Sequence, residues 1–371
     1  MKTKAAVLRG AGQDWEVTEL DLDPPREGEV LIRYVASGLC HSDEHLRTGD
    51  LEPRFPCVGG HEGAGVVEEV GPGVTRARPG DHVVCSFVPV CGSCRFCSTG
   101  QQSLCDLGAS AVDGTLPGGG YRFHQDGQDV GGFCALGTFS QWGTVSQYSV
   151  VPIDDDLPLE TAVLVGCGVP TGWGSSVYAA GVRPGDTVVI YGIGGVGINA
   201  VQGARYAGAK NVVAVDPIAL KREKAEELGA THTAASAEEA QRLVWEQLVP
   251  GVGADHAIVT AGVVDEEVVE AAFWMTCKGG VVTVTGLNHR ARRTIHVSGG
   301  RLVTYQKRIQ GSLFGSSNPL YDIRKMLDLY RTGDLKLDEL ITRRYRLDEI
   351  NQGYQDLLEG RNIRGVIVHE H

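Results

Sequence analysis

What the 371-residue chain lacks narrows it before anything it contains. No apolar stretch approaches the ~18 residues of a membrane span. The start, MKTKAAVLRG, has a charged front but only four consecutive apolar residues, against the roughly 7–15 of a secretory signal. An excess of positive charge is also missing. The formal net charge is −12, which argues against nucleic acid or another polyanion as partner. The one compact basic cluster, Arg290 with Arg292 and Arg293, is expected to be a solvated turn. These absences predict a cytoplasmic protein with neither a membrane nor a nucleic-acid partner. In that compartment thiols stay reduced, so the ten cysteines need a reason other than disulfides.

What is present is ordinary in bulk. Hydrophobic residues at 42% and charged residues at 22% fit a soluble globular protein. The length exceeds what one compact core usually holds, so two domains are expected. Glycine, 51 residues, is about twice its usual ~7% share. Lacking a collagen-like period, it reads as tight turns between strands.

Four of the cysteines fall within fifteen positions, in CGSCRFCSTGQQSLC, residues 91–105. The spacing C-x2-C-x2-C-x7-C lets Cys91, Cys94, Cys97 and Cys105 surround one ion, and four thiolates make a closed tetrahedral shell for Zn²⁺. A closed shell has no position for substrate, so such a site is structural. Gly92, Ser93, Ser98, Thr99 and Gly100 suggest a loop between the ligands rather than a helix. Two rivals stay open. An iron–sulfur cluster of ferredoxin type wants a shorter last gap followed by proline, and a redox C-x-x-C wants one pair in a thioredoxin-like setting.

A second donor set is dispersed. GLCHSDEH (38–45), GGHEGAG (59–65) and LVGCGVPTGWG (164–174) offer Cys40, His61 and Cys167. Two thiolates and an imidazole are the ligands of a catalytic zinc that keeps one open position. Each residue alone would read as an ordinary buried side chain; the flanks change that. Asp43 and Glu62 put carboxylates beside the donors, as a ligating histidine needs to fix its tautomer. Ser42 and His45 place a hydroxyl and an imidazole close enough to carry an alcohol's proton outward.

The third motif is Gly192-Ile-Gly194-Gly195-Val-Gly197, a G-x-G-x-x-G turn between an expected strand, Thr187–Tyr191, and a helix running to about Ala207. A second strand, Asn211–Val215, ends in Asp216. In that context the helix N-terminus would hold a dinucleotide pyrophosphate, and Asp216 would bind the adenosine ribose hydroxyls. A carboxylate there repels a 2′-phosphate, so NAD is favoured over NADP, although Lys221 and Arg222 soften that preference.

The fold expectation is α/β. Residues 1–168 read as a compact β-barrel carrying the 91–105 lobe, and 169–313 as a doubly wound parallel sheet. Residues 314–371, two amphipathic helices and a strand, are expected to return to the first domain.

The order of these motifs resembles the zinc-dependent medium-chain alcohol dehydrogenases over nearly the whole chain. The resemblance implies a GroES-like barrel domain and a Rossmann domain. It puts a catalytic zinc on Cys40, His61 and Cys167, and a structural zinc on Cys91, Cys94, Cys97 and Cys105. The relay falls on Ser42 and His45, with Asp43 and Glu62 behind the metal. NAD is implied at Gly192, Gly194, Gly195, Gly197, Asp216 and Lys221, with His41 and Arg364 near the pyrophosphate and Thr171 near the nicotinamide. Leu51 and Phe87 fall where the family lines its alcohol pocket, although both could be plain core.

ASGLCHSDEHL, GCGVPTGWGS, GGVGINAVQGA, QGSLFGSSNP and LKLDELITRRY are most similar to the branch assayed with N,N-dimethyl-4-nitrosoaniline. That branch implies an NAD that stays bound and is reoxidised by an external carrier, thought to be mycofactocin. The implied reaction is oxidation of a primary or secondary alcohol to an aldehyde or ketone, in a homodimer or homotetramer. A thiol-dependent formaldehyde dehydrogenase stays open, with Arg122 or His124 as anchor for the thiol's carboxylates. So does a non-catalytic nucleotide-binding protein. TFSQWGTVSQYSVV (138–151) departs from the family pattern, and Cys57, Cys85, Cys134 and Cys277 are expected to be buried and inert.

Overall fold

A computed structural model of the chain describes every residue except Arg290, Arg292 and Arg293, and the side chain of Ser110. The basic cluster therefore lies outside the described residues. The chain divides into two compact units, Met1–Cys167 with Asn318–His371, and Gly168–Ser317.

The first unit combines a small closed barrel with a larger sheet. Strands Lys2–Leu8, Glu16–Leu22, Phe123–Gln125, Gln128–Gly132 and Cys57–Val58 close on themselves in that order. A seven-stranded sheet runs Val150–Ile153, His82–Cys85, Gly63–Val70, Glu29–Gly38, Arg364–Val368 and Ile341–Tyr345, with Trp142–Ser146 also pairing to Glu29–Gly38. Closure hides backbone groups that an open edge would expose. Glu29–Gly38, EVLIRYVASG, is buried along almost its whole length because it has neighbours on every side. It ends at Gly38, and Leu39 then leads to Cys40, so a rigid central strand delivers the first donor.

The second unit has six parallel strands: His232–Ala234, Asn211–Val215, Thr187–Tyr191, Ala254–Val259, Thr276–Val284 and Arg308–Gly311. Numbered along the chain this is the doubly wound order 3-2-1-4-5-6, which opens a ligand crevice at the carboxyl ends of the two central strands. TVVIY and NVVAV are fully buried, as parallel strands covered on both faces must be. Two edge strands, His232–Ala234 and Arg308–Gly311, were not expected, since their short polar runs carry no periodic signal.

The returning segment joins the first unit at Asn318, not at residue 314. Phe314–Ser316 stays with the second unit because Gly315 sits against Pro170, where a Cβ would come within 2.2 Å of the Pro170 carbonyl oxygen. Ser317 Oγ also donates to that carbonyl at 3.3 Å. The following helix, Pro319–Thr332, has Asn318 as its cap, proline at its start, and Gly333 at φ 79° as its stop. Its Ile323, Met326 and Leu327 are buried at helical spacing. Among the described residues no helix is long and apolar enough to cross a membrane.

Candidate functional site

The 91–105 lobe is built by backbone donors aimed at sulfur. Cys91 Sγ accepts from Ser93 N at 3.4 Å and Cys94 N at 3.2 Å, Cys94 Sγ from Cys97 N at 3.4 Å, and Cys105 Sγ from Cys91 N at 3.3 Å. Gly92 at φ 84° makes the turn that aims the first pair. Contrary to the expected loop, Arg95–Ser98 forms one helical turn, because the Cys94 sulfur caps it. Hydrogen bonding by Ser93 and Cys94 N–H groups brings the Cys91 thiol down to about 6.

The four sulfurs lie within 4.8 Å of one another. Cys91–Cys97 and Cys94–Cys105 are 3.9 and 4.0 Å apart. That is far from a disulfide bond and close to the ~3.8 Å edge of a tetrahedron with Zn–S bonds of about 2.3 Å. The lobe fits zinc.

Cys40, His61 and Cys167 come from three distant segments and meet inside the first unit. Cys40 precedes the helix His41–Thr48, His61 lies between Cys57–Val58 and Gly63–Val70, and Cys167 ends the turn Val163–Gly166. His61 Nε2 is 3.3 Å from Cys167 Sγ, near the ~3.5 Å edge of a tetrahedral N/S zinc site. All three are buried. Gly60, at φ 89°, lets the loop pass Thr138 and Phe139, where a Cβ would come within 2.4 Å of Thr138 Oγ1.

The carboxylates stand behind this set. Asp43 Oδ1 accepts from Gly60 N at 2.7 Å, and its Oδ2 is 3.1 Å from His61 Nδ1. Burial alone would lower His61, but Asp43 more than offsets it and raises the imidazole well above its usual value. Glu62 is closer than a supporting acid needs to be, for one carboxylate oxygen lies within 4.8 Å of all three donors. Its Oε2 accepts from Arg364 Nη2. Burial lifts Glu62 to about 7 in spite of that guanidinium. Gly38 makes the pairing possible, since a Cβ there would come within 2.0 Å of Glu62 Oε2. Arg364 is thus buried in an ion pair, and its Nε has no hydrogen-bond partner among the described residues.

The helix His41–Thr48 carries both residues expected to form a relay. Ser42 Oγ lies 3.6 Å from Cys40 Sγ. His45 is one turn further on, with its ring 5.2 Å from that of His41. Its Nδ1 meets a residue sequence reasoning missed: Asp50 Oδ2, at 3.1 Å. Phe87 packs edge-on against His61 at 5.7 Å, and so does a second missed aromatic, Phe133, at 5.2 Å. Leu51 packs with Phe87 and Phe133 in one apolar cluster.

In the second unit the glycine turn has the close backbone approaches that a dinucleotide loop uses. Gly192, at φ 89°, passes Ala261 where a Cβ would come within 2.7 Å, and Gly197 would place one 2.0 Å from the Gly192 carbonyl. Gly194 faces open space. Asp216 takes Ile193 N at 2.8 Å and Ile218 N at 2.9 Å, fixing the carboxylate beside the turn, with Lys221 Nζ at 3.9 Å. Arg222 donates to the carbonyls of Asp216 and Pro217. Thr171 Oγ1 is buried with no partner among the described residues, a polar atom waiting for a ligand. These residues fit a dinucleotide.

Comparison with known proteins agrees with this geometry. The alcohol dehydrogenase GroES-like domain matches residues 26–158, and the zinc-binding dehydrogenase domain matches 195–332. An NDMA-dependent alcohol dehydrogenase of Amycolatopsis methanolica is 63% identical over 369 residues, covering 100% of this chain and 99% of that one. The chain belongs to the zinc-type medium-chain alcohol dehydrogenases. Two solved structures superpose over 100% of both chains: an alcohol dehydrogenase zinc-binding domain protein from Burkholderia ambifaria, at TM-score 0.93 and 31% identity, and benzyl alcohol dehydrogenase from Acinetobacter calcoaceticus, at 0.92 and 30%.

Against this medium-chain alcohol dehydrogenase frame, two expectations need correcting. Arg122 is buried, donating to Glu29 at 2.8 and 2.5 Å, and His124 lies between Asp23 and Asp129 at 3.3 and 3.1 Å. Their polar groups are already partnered by carboxylates, so neither offers an anchor for a thiol's carboxylates, and the formaldehyde reading loses that support. Among the spare cysteines, burial pushes Cys57 and Cys85 up to about 12 and Cys134 well above the thiol range. Cys277 differs, being only half-buried.

Proposed function

We propose that this dehydrogenase oxidises a primary or secondary alcohol to an aldehyde or ketone, using NAD and two zinc ions per chain. The observation that carries the reading is the convergence of Cys40, His61 and Cys167 beside Ser42, with Phe87 and Phe133 as apolar walls. Zinc held by those three residues would supply Lewis acidity toward the alcohol hydroxyl, and nicotinamide would supply the hydride acceptor. The protein's own part is to hold and move.

Arg364 holds the Glu62 carboxylate in an ion pair beside the donor set, so that its charge is met by a guanidinium. Asp43 orients His61 from behind. Ser42 takes the alcohol's proton and His45, three residues on and hence on the same helix face, receives it. Phe87, Phe133 and Leu51 exclude water from the carbon that gives up hydride, favouring alcohols with an apolar body. Asp216 supports NAD over NADP. Cys91, Cys94, Cys97 and Cys105 hold the second zinc away from the chemistry.

The branch suggested by the 63% identity supports a finer reading, in which NAD stays bound and an external redox carrier reoxidises it. Purified protein, desalted and denatured, should release close to one nicotinamide nucleotide per chain and reduce nitrosoaniline with alcohol alone. Release near zero, with activity only on added NAD, would sink the resident-cofactor reading and leave the dehydrogenase reading standing. No alcohol oxidation with either acceptor would sink both.

A further inference from the structure

We propose that Asp50 is a positioning residue for the proton path: through His45 Nδ1 it fixes the imidazole tautomer whose Nε2 accepts the proton. The inference rests on the reading of Ser42 and His45 as a relay, and its test separates the two.

The His41–Thr48 helix stops at Gly49, φ 81°. That left-handed turn carries the chain back along the last helical turn, and Leu51 N donates to His45 O at 2.9 Å. Asp50 is thereby laid against His45, with Nδ1 and Oδ2 3.1 Å apart and both side chains only 4% exposed. Thr48 Oγ1 donates to the same Oδ2 at 2.8 Å, so the carboxylate is held from two sides. The turn is itself braced, because Gly12 N donates to Arg47 O at 2.7 Å.

A carboxylate only accepts, so the neutral imidazole must carry its hydrogen on Nδ1 and leave the lone pair on Nε2. Without Asp50 the ring could hold its hydrogen on either nitrogen, and the Nε2–H form cannot take a proton from a hydroxyl. One proton arrives at Nε2, and the hydrogen on Nδ1 stays between the ring and Asp50. An exposed histidine would need no such partner. The depth of this pair gives Asp50 its purpose.

Asp50→Asn keeps the size but offers an amide that can donate to Nδ1, inverting the tautomer. The same change in serine proteases costs ~10⁴-fold, and a general acid–base step is worth about 10²–10⁴-fold in all. Here kcat should fall roughly 10–100-fold, with KM for the alcohol within about threefold. Asp50→Glu should restore part of the rate. The decisive comparison is the double variant. Because Asp50 acts through His45, Asp50→Asn placed on His45→Ala should cost nothing further, whereas a merely structural role would add its own loss. Zinc and nucleotide content, measured in every variant, show that the site is intact.

If His45→Ala is slow and Asp50→Asn runs at the parent rate, the inference is wrong and the relay stands. If both run at the parent rate, the relay itself is wrong. Additive losses also overturn the inference. Should Asp50→Asn not fold, Thr48→Val withdraws only the second bond to Oδ2 and must lower kcat in the parent but not in His45→Ala.

Discussion

The two cysteine-containing clusters solve the same problem in opposite ways. In the lobe, four like donors sit within fifteen residues, and the groups that orient them are backbone N–H donors of the same short stretch. In the buried set, two thiols and an imidazole come from three separate segments, and the orienting groups are charged side chains: Asp43, Glu62 and Arg364. A local frame of amides is fixed once the turn forms. A frame of buried charges exists only when the whole first unit is assembled, and it is costly to break. The first arrangement suits a brace; the second can hold an uneven site with one side open.

Replacing His61 with alanine should break this division most severely. Activity should fall more than about 10³-fold and zinc should drop by one per chain, while the lobe keeps its ion. Metal analysis alongside kcat checks this. Asp43→Asn should cost about 10–100-fold in activity or in zinc affinity at the buried set, with no change in the lobe; a competition titration against a chelator reads it. Cys94→Ser should do the converse. The lobe loses its zinc and melting falls by several degrees, at roughly 2–4 °C per kcal/mol for units of this size, while kcat at low temperature stays within about threefold. If Cys94→Ser abolished activity in folded protein, the separation of brace from chemistry would be wrong.

A last comparison concerns acid, where loss of metal must be told apart from unfolding of the first unit. His369 is buried against Ser37, its Nε2 2.9 Å from Ser37 Oγ. Burial, with His371 nearby, holds it down to about 3 from 6.5. The native state thus keeps it neutral where the unfolded chain takes up a proton. Stability should therefore decline as pH falls below about 6.5, by at most ~1.4 kcal/mol per unit, and this contribution should level off below about 3. Urea midpoints of metal-depleted protein across that range measure it. A flat profile would reassign acid sensitivity to the metal sites.

How much could be read from the sequence follows the same contrast. The lobe and the glycine turn are local, so spacing alone exposed them, and the central strands Thr187–Tyr191 and Asn211–Val215 are continuous apolar runs. Cys40, His61 and Cys167 were readable only through their flanks and the family resemblance. Asp50 was missed because an acid after a glycine looks like a solvated turn. Only the left-handed Gly49 folds it under the helix. Phe133 was missed because its loop has two successive non-glycine residues at positive φ, Cys134 and Ala135 at 56° and 57°, which no propensity forecasts. Arg122 misled for the opposite reason. A polar loop residue reads as exposed, and its partner Glu29 lies 93 positions away.

The pairing of Glu62 with Arg364 also constrains the order in which the molecule is made. The ribosome delivers the glutamate, the strand that holds Gly38 and all three zinc donors long before it delivers the arginine, 302 residues after its partner. Between those moments it completes Gly168–Ser317, a contiguous unit. A nascent chain should therefore show a protease-resistant second unit while the seven-stranded sheet beside the buried donors still lacks its last two strands. That sheet is completed beside Glu29–Gly38 only when the strand starting at Arg364 has been made. Acquisition of the inner metal, on this account, belongs to the last seconds of synthesis, and the outer one can be captured much earlier.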